Sequence, residues 1–340
     1  MATPMNNPLV SVIMPVYNAQ EYLREAIDNI LSQTYSEFEC IIVNDGSTDA
    51  SAEIIRSFRD PRIIVMNNEK NLGLVATMTG GLARARGAYI IRADADDGSL
   101  PKRIETQVRY METHPDIGIV SSWMRTIGTP NGYLMKSFTE PEEICANLLF
   151  NTTIAQPAAC IRASLFKEGL AYDPAFKDGA EDYDLWTRAS EVTRIACLPN
   201  ALVQYRIHAT NVSTVRAEAN RANTRAIRLR QLARLGLIPT EEELMLHSSI
   251  SCPHDDLPLF LADQERWFKK IITANDACRR YDQTILMRIL RYRWFLLLDA
   301  NARAGITVLH LARHSVFAFT MRDVGMLSYL KFTLKAILRT

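Results

Sequence analysis

The sequence predicts an α/β protein with a mostly parallel sheet flanked by helices, followed by a mainly helical C-terminal region. Over roughly the first hundred residues, short apolar runs alternate with amphipathic helical patterns, which is typical of βαβ units. Beyond about Val215 the patterns become long and helical, and prolines interrupt them. We therefore expect a flexible N-terminus at 1–8, an α/β domain at 9–215 and a helical region at 216–340.

The first strand is predicted at Leu9–Met14, where the chain is almost continuously apolar, and it is expected to break at Pro15. Asn18 is a suitable cap for the helix that follows. Later apolar runs predict strands at Cys40–Val43, Arg62–Met66, Ala88–Ile91, Ile117–Ser122, Arg194–Leu198 and Leu202–Ile207. A loop or hairpin is expected at Trp123–Tyr133, because Gly and Pro residues punctuate it.

Polar residues follow four of the predicted strand ends. They are Pro15–Asn18, Asp45, Asn71 and Asp94–Asp97. Ligands of parallel sheets bind at the carboxyl ends of the strands, beside the point where the strand order reverses. The four loops are therefore predicted to face one crevice. The alternative, four unrelated turns, explains each loop singly but not their common placement.

The segment Asp94–Asp97 places three carboxylates in four residues at the end of a predicted buried strand. Like charges crowded in this way repel one another, so a cation is expected to hold them. Oxygen ligands at this spacing suit a hard divalent ion such as Mg²⁺ or Mn²⁺. Considered alone, the cluster could equally be a solvated turn that leads into a helix predicted at Pro101–His114.

The composition restricts the class of protein. At 340 residues, with 48% hydrophobic and 23% charged residues, the chain can form a large domain and a smaller one, and the disordered and fibrous classes are excluded. Six widely separated cysteines favour reduced core thiols over a disulfide framework or a zinc site. The N-terminus lacks a secretory signal pattern and no long apolar run predicts a membrane span, so a cytoplasmic protein is expected.

Six motifs in order make the first two thirds of the chain resemble an inverting glycosyltransferase of family 2, a group with the nucleotide-diphospho-sugar transferase fold called GT-A. The motifs are VSVIMPVYN (Val10–Asn18), VNDGSTD (Val43–Asp49), NLGL (Asn71–Leu74), RGAYIIRADADD (Arg86–Asp97), EDYDLW (Glu181–Trp186) and YRIH (Tyr205–His208). Each motif alone is weak, but six in the right order are a specific signal.

The resemblance implies a donor side. The residues that would hold the nucleotide, most often a uridine diphosphate sugar, are Pro15, Val16, Tyr17, Asn18, Asp45, Asn71 and Asp94. Asp94 and Asp96 match the D-x-D motif, which implies contacts to the ribose and to a divalent metal, Mn²⁺ or Mg²⁺, on the diphosphate. Asp96 is the first choice for direct coordination, whereas Asp97 would either help there or cap the helix at Pro101. Other interpretations are an Asx turn at Asp45, a core aromatic at Tyr17 and a helix cap at Asn71.

The resemblance also implies a catalytic base, Asp182, which would take the proton from the acceptor hydroxyl. Glu181 beside it could hold acceptor hydroxyls. Without the resemblance, both acids could simply stabilise a helix N-terminus. By the same resemblance His208 would complete the metal shell, unless it is only structural, and Arg206 would contact a phosphate. Gln156-Pro157 departs from the family pattern, where His-Pro is frequent, and leaves that acceptor-side contact open.

The segment Arg279–Thr340 holds eleven Lys or Arg against three Asp or Glu, a net +8 in a chain whose formal total is +1. Basic helices with apolar faces suit an anionic membrane surface, where a lipid-linked acceptor would be met. The alternative is a helical domain that packs on the catalytic core or on a second subunit. A nucleic-acid partner is not expected, because no recognisable binding module is present.

The sequence thus predicts metal-dependent, inverting transfer of a hexosyl or N-acetylhexosaminyl group from a nucleotide sugar to a glycan or lipid-linked acceptor, in surface polysaccharide or lipopolysaccharide synthesis. A homo-oligomer and a peripheral position at the inner face of a membrane are compatible with these features. Two alternatives remain, an inactive nucleotide-sugar-binding or scaffolding subunit and a nucleotidyltransferase. The latter would need a Gly- and Lys-rich phosphate loop near the N-terminus, which Pro15–Asn18 does not provide.

Overall fold

We describe the chain from a computed structural model, which covers residues 7–152, 154–208, 217–251, 261–302 and 306–337. The predicted boundary at 215–216, and residues 1–6 of the predicted flexible N-terminus, lie outside these residues. Among them the strands are β1 (Val10–Val16), β2 (Phe38–Asn44), β3 (Ile63–Asn67), β4 (Tyr89–Arg92), β5 (Gly98–Ser99), β6 (Ile117–Ile127), β7 (Leu134–Met135), β8 (Cys160–Arg162) and β9 (Arg194–Arg206).

The helices of the described residues come in two groups. Those interleaved with the strands are α1 (Leu23–Leu31), α2 (Ser51–Ser57), α3 (Leu74–Arg84), α4 (Arg103–Thr113), α5 (Pro141–Asn147), α6 (Ala163–Lys167) and α7 (Glu181–Ala189). Those that follow the last strand are α8 (Ala217–Arg234), α9 (Glu241–Ser251), α10 (Leu261–Cys278), α11 (Gln283–Ala300), α12 (Ile306–His314), α13 (Met321–Val324) and α14 (Met326–Ile337).

One sheet organises the strands. Its order is β3-β2-β1-β4-β8-β6-β9-β5, and β7 pairs with β6. Strands β1 to β4 pair in parallel, whereas β8 lies between β4 and β6 and is antiparallel to both. The chain order reverses at β1, which has β2 on one side and β4 on the other, so a ligand crevice is expected at the carboxyl ends of β1 and β4. The predicted α/β class is confirmed.

Pro15 does not break β1, which runs to Val16 and pairs with β2 along its whole length. A proline is tolerated in a strand where its missing N–H is not needed. The carbonyl of Ile13 accepts a hydrogen bond from the N–H of Ala93, so Ile13 faces β4, and Pro15 faces the same side two residues later. Because the pairing with β4 ends at Ile13, the proline costs the sheet no ladder bond.

Asn18 does not cap α1, contrary to the expectation. That helix begins at Leu23, after Tyr22, and no side chain caps it. Asn18 has a left-handed backbone (φ 48°), which Asn adopts more readily than most residues. Its Oδ1 accepts a hydrogen bond from the N–H of Thr48 at 2.8 Å, and its own N–H donates to Ser47 Oγ at 3.1 Å. Asn18 therefore joins the loop after β1 to the loop after β2.

The segment Trp123–Tyr133, expected to be a loop or hairpin, belongs to a hairpin between β6 and β7. β6 continues through Trp123–Ile127 because it pairs with β9 over that length, and β7 returns along it as a hairpin. β9 is correspondingly one strand rather than two apolar runs. Leu198 and Ala201 lie opposite adjacent residues of β6, so the pairing absorbs Pro199-Asn200 as a bulge.

Helices cover both faces of the sheet at β1. The even-numbered residues of β1, among them Val12 and Met14, are buried in one cluster with apolar residues of α1 and α4. On the other face α3 approaches closely, since a Cβ added to Gly81 would lie 2.6 Å from Ile13 Cγ2. Strands covered on both faces read as continuous apolar runs, as the sequence of β1 does.

The described residues divide into two compact units. The first extends to Ile144 and includes Thr152–Asn223, and the second combines Cys145–Asn151 with the residues from Thr224 onward. None of the described helices has the length and apolar character needed to cross a lipid bilayer.

Aromatic side chains form much of the interior of the second unit. The rings of Phe268, Trp294 and Phe317 pack together with centroids 5.0 to 6.3 Å apart. No disulfide joins the described cysteines, and Cys278 is exposed rather than in the core as expected. Cys252 lies outside the described residues.

Candidate active site

The Asp cluster follows from the local fold at the end of β4. The alternation of Ala and Asp buries Ala93 and Ala95 in the core and leaves Asp94 and Asp96 partly exposed. One oxygen from each of Asp94, Asp96 and Asp97 lies within 4.8 Å of the others. The structure therefore brings the two predicted D-x-D residues together and adds Asp97 to them.

Asp97 does not cap α4, which begins at Arg103 without a side-chain cap. The side chain is buried, and its Oδ1 accepts a hydrogen bond from the N–H of Arg206 at 2.8 Å. Its Oδ2 is buried and has no hydrogen-bond partner among the described residues. Burial, the charge of Asp94 and then that of Asp96 raise the pKa of Asp97 to about 8.

His208 reaches the same cluster from the end of β9. Its Nε2 lies 2.9 Å from Asp96 Oδ2, and its ring packs against Tyr22 with the centroids 5.5 Å apart. Burial and the charge of Asp94 raise the pKa of Asp96, and the hydrogen bond with His208 opposes that rise. His208 thus contacts one acid of the cluster, and it is also packed as a structural histidine would be.

This set of groups fits a hard divalent cation. The three clustered carboxylates are oxygen ligands of the kind that Mn²⁺ and Mg²⁺ prefer, and His208 contacts one of them. A buried carboxylate oxygen without a partner, such as Asp97 Oδ2, costs about 1–3 kcal/mol or more. A cation at the cluster would remove that cost and the repulsion between the carboxylates.

Arg92 is the residue of this site that the sequence analysis missed. Its Nε and Nη2 donate to the two oxygens of Asp94 at 2.6 and 3.1 Å, and its Nη1 lies 3.8 Å from Glu181 Oε1. Burial alone would lower the pKa of Arg92. The negative charges of Asp94 and Glu181 have the larger effect, so the pKa of Arg92 is raised. A signal was available, since Arg92 is the one charged residue at the end of the apolar strand β4.

Glu181 and Asp182 stand in the first turn of α7. The helix is preceded by Gly179 and Ala180, both with positive φ (138° and 60°), and the latter is an uncommon conformation for alanine. The carboxylate of Asp182 accepts a hydrogen bond from the N–H of Tyr183 at 2.7 Å. Burial and the charge of Glu181 raise the pKa of Asp182 to about 7.

The third acid of this turn, Asp184, is held differently. It is buried and paired with Arg188 at 2.6 Å, one helical turn later. That pair is a structural contact within α7. Asp182 is therefore distinguished from its neighbour by having a backbone N–H, rather than a side-chain cation, as its hydrogen-bond donor.

Asp45 organises the loop before α3. Its Oδ1 accepts hydrogen bonds from the Asn68 side chain and from the N–H of Leu72, and its Oδ2 accepts one from the N–H of Gly73. The alternative interpretation of Asp45, an Asx turn with Gly46, is therefore wrong. Gly46 itself has a left-handed backbone (φ 68°), and an added Cβ would lie 2.5 Å from the backbone of the β3–α3 loop.

The remaining donor-side residues lie at the same edge of the sheet. Tyr17 is half exposed rather than in the core, whereas Val16 before it is buried and Pro15 is partly buried. Asn71 is exposed, and it does not cap α3, because Gly73 precedes that helix and no side chain caps it. Two of the alternative interpretations, a core aromatic and a helix cap, are therefore wrong.

Arg206 is held against the Asp cluster. Its Nε donates to the carbonyl of Asp96 at 2.9 Å, its Nη2 to Glu25 Oε2 at 2.8 Å, and its guanidinium lies 4.5 Å from the centroid of the Tyr22 ring. Gln156 is buried and donates to the hydroxyl of Tyr172 at 2.7 Å. The structure thus places Arg206 beside the predicted metal ligands and gives Gln156 a partner within the protein.

Comparison with known proteins identifies the family to which this chain is similar. The model named "Glycosyl transferase family 2" matches residues 11–170. A protein of Haemophilus influenzae described as an uncharacterized glycosyltransferase is 36% identical over 225 residues, which are 62% of this chain and 69% of the relative.

Two solved structures are similar in fold. Staphylococcus aureus TarS 1–349, in complex with UDP-GlcNAc, is 19% identical with a TM-score of 0.58 and coverage of 95% of this chain and 90% of that one. A mannosyltransferase of Pyrobaculum calidifontis, PcManGT, in complex with GDP-Man and Mn²⁺, is 17% identical with a TM-score of 0.55 and coverage of 98% and 87%. Both likenesses agree with the predicted GT-A fold, and the family match with the Haemophilus relative shows that this chain is a glycosyltransferase and belongs to family 2.

Proposed function

We propose that the chain transfers a sugar, with inversion and with the aid of a divalent metal, from a nucleotide sugar to a hydroxyl of a glycan or lipid-linked acceptor. One observation supports this most strongly. Two groups of acids, Asp94–Asp97 and Glu181–Asp182, lie at one site and are connected through Arg92. Two such groups are what a reaction needs if it must both stabilise a leaving group and deprotonate an attacking hydroxyl.

The first group serves the donor. Asp94, Asp96 and His208 would hold the cation, with Asp97 in reach of it, and the cation when bound would neutralise negative charge on the leaving nucleoside diphosphate. Arg206 lies beside these ligands and would contact a phosphate. The presence of Mn²⁺ in the complex of the mannosyltransferase PcManGT supports the metal.

The nucleotide would be held at the carboxyl ends of β1 to β3. Tyr17 offers an exposed aromatic surface to a base, and Asp45 fixes the loop in which Asn71 is exposed. We propose a UDP-sugar, because TarS, a fold relative, is seen with UDP-GlcNAc. A GDP-sugar, as seen in PcManGT, is the competing donor.

The second group serves the acceptor. Asp182 is the proposed base, because a carboxylate whose pKa is near 7 can take a proton from a hydroxyl more effectively than an ordinary, more acidic one. Glu181 would hold acceptor hydroxyls. An inactive nucleotide-sugar-binding subunit needs no such base, so the chemistry of Asp182 favours transfer, although both proteins would bind the donor.

Thermal unfolding of the full chain with different nucleotides tests the proposal. We expect UDP and UDP-sugars to raise the melting temperature with Mn²⁺ or Mg²⁺ present, and a chelator to remove that effect. GDP should act more weakly, and Asp96→Ala should lose the metal-dependent part of the shift. Glu168→Gln, an exposed acid of the same unit, is the control. If UDP raised the melting temperature equally with and without the chelator, and equally in Asp96→Ala, the metal assignment would be contradicted.

A further inference from the structure

The helix α14 exposes one apolar face. The side chains that form it are 45 to 66% exposed, and they are Met326, Leu327, Leu330, Leu334 and Ile337. At 3.6 residues per turn they fall within an arc of roughly 100°. Phe332 and Ala336, on the opposite side, are buried in the helical unit. Single exposed apolar residues are ordinary, but a contiguous arc of long aliphatic side chains marks an interaction surface.

The charged residues of α14 itself are basic. Met326–Ile337 contains Lys331 and Lys335 and no acidic residue. Lys331 is exposed next to the apolar arc, and Arg322 is exposed in α13, immediately before the helix. Lys335, further round, contacts Asp299 at 3.5 Å. The arc therefore has an exposed lysine beside it and no acidic residue within α14, while α13 carries both Arg322 and Asp323.

We propose that this α14 face docks on an anionic lipid surface. An amphipathic helix with long aliphatic side chains on one face and basic residues beside it lies in the membrane interface, with its apolar face in the acyl boundary and its cations at the headgroups. Each feature of that description is present in α14. The partner is a bilayer that carries acidic headgroups.

The charge pattern favours lipid over a second copy of the chain. In a two-fold interface between two α14 faces, the lysines of one copy would face those of the other, and α14 offers no carboxylate to pair with them. Anionic headgroups supply the missing counter-charge. A lipid partner thus accounts for the apolar arc and for the basic residues of α14 together.

The inference rests on the proposed function in one respect, since it names the surface at which a lipid-linked acceptor would be met. Vesicle binding requires neither donor nor acceptor. A failure of docking and a failure of the proposed transfer are therefore distinguishable in separate experiments.

Flotation of the full chain with vesicles tests the docking. We expect the protein to float with vesicles of phosphatidylcholine containing about one third phosphatidylglycerol, to float less with phosphatidylcholine alone, and to be released in part by high salt. Leu330→Glu with Leu334→Glu should abolish flotation, and Lys331→Ala should weaken binding about fivefold. The matched control is Ile238→Glu with Met245→Glu, two exposed apolar residues of the same unit outside α14.

The results distinguish an anionic bilayer from a second copy of the chain as the partner of the α14 face. Loss of flotation in the Leu330/Leu334 variant alone, with an unchanged unfolding temperature, supports docking through α14. Equal flotation of that variant and the wild type would overturn it. A second result would also overturn it: the wild type does not float but forms a dimer, and the Leu330/Leu334 variant is a monomer. A second copy of the chain would then cover the face.

Discussion

Two groups of acids at one site of the first unit differ in what compensates their charge. In the group at the end of β4, Asp94 receives two hydrogen bonds from Arg92, and Asp96 contacts His208. In the group at the start of α7, the carboxylate of Asp182 instead accepts a hydrogen bond from the backbone N–H of Tyr183. Both groups contain acids whose pKa is raised, Asp96 and Asp97 in the first and Asp182 in the second, but the first group alone combines three clustered carboxylates with a histidine contact, which suits a cation site.

The difference shows how one type of residue can serve two chemical tasks. A carboxylate paired with a cation stays ionised and is a poor base, whereas a carboxylate that is buried beside another acid holds its proton up to a higher pH. Within the same helix as Asp182, Asp184 is paired with the cation of Arg188, whereas the carboxylate of Asp182 accepts a hydrogen bond from a backbone N–H. Environment, rather than residue type, separates the proposed ligands from the proposed base.

The largest effect is expected for Asp182→Asn. If Asp182 is the base, this change should lower kcat about a hundred- to ten-thousand-fold, because an amide cannot accept the proton of the acceptor hydroxyl. Affinity for UDP should be unchanged, because the donor is held by the other group. Transfer assays together with titration calorimetry of UDP measure the two quantities.

Glu168→Gln is the control for that experiment, since it removes an exposed acid of the same unit. It should retain full activity. Near-normal transfer by Asp182→Asn would end the assignment of the base, and would leave Glu181 and Asp182 as acids that stabilise the N-terminus of α7.

An intermediate effect is expected at Arg92, the residue that lies between the two groups. Arg92→Gln should lower kcat/KM about ten- to a hundredfold, a range typical of residues that orient a ligand. It should also move the acid limb of the pH profile to higher pH, because the guanidinium charge lowers the pKa of Asp182. Arg92→Lys keeps the charge and should leave that limb in place while it loses the two-pronged contact with Asp94.

Arg188→Gln provides the matched control. It breaks an arginine–carboxylate pair in α7 and should lower stability without moving the acid limb. If Arg92→Gln lowered activity and left the pH profile unchanged, Arg92 would be only a structural support of the Asp cluster.

The position of Asp94 and Asp96 was predictable because its signal is local. Asp94 and Asp96 follow an apolar strand, and the strand pattern alone places them at the carboxyl edge of a sheet. His208 and Arg206 were predicted from a motif, and pairing between β6 and β9 brings them to the same place. Periodicity and motif order are therefore enough to place a residue when its position depends only on which end of a strand it follows.

Contacts between distant segments were not predictable in this way. The contact of Arg92 with Glu181 joins residues that lie far apart in the chain, and no local pattern indicates which acid an arginine will meet. Asn is a residue type that often caps helices, but Asn18 forms its hydrogen bonds with the loop after β2 instead. The bulge at Pro199-Asn200 likewise depends on the partner strand, which a single-segment pattern does not contain.

The smallest expected effect concerns the stability of Asp182→Asn. In the unfolded chain an aspartate titrates near pH ~3.9, whereas Asp182 in the folded chain has a pKa of about 7. The folded state therefore binds this proton more tightly, and the wild type loses stability from this group as the pH rises from about 4 to about 7. The loss is complete above about pH 7. Asparagine carries no charge at any of these values, so the variant should not show it.

Urea unfolding at several pH values measures the difference. Asp182→Asn should be more stable than the wild type near pH 8 and nearly equal to it near pH 4. Glu168→Gln should follow the wild type throughout, because that acid is exposed. A variant whose stability parallels the wild type at every pH would show that Asp182 ionises as an ordinary acid does. The contrast between the two groups would then lose its physical basis, because a base poised near neutral pH must cost the fold some stability when it is ionised.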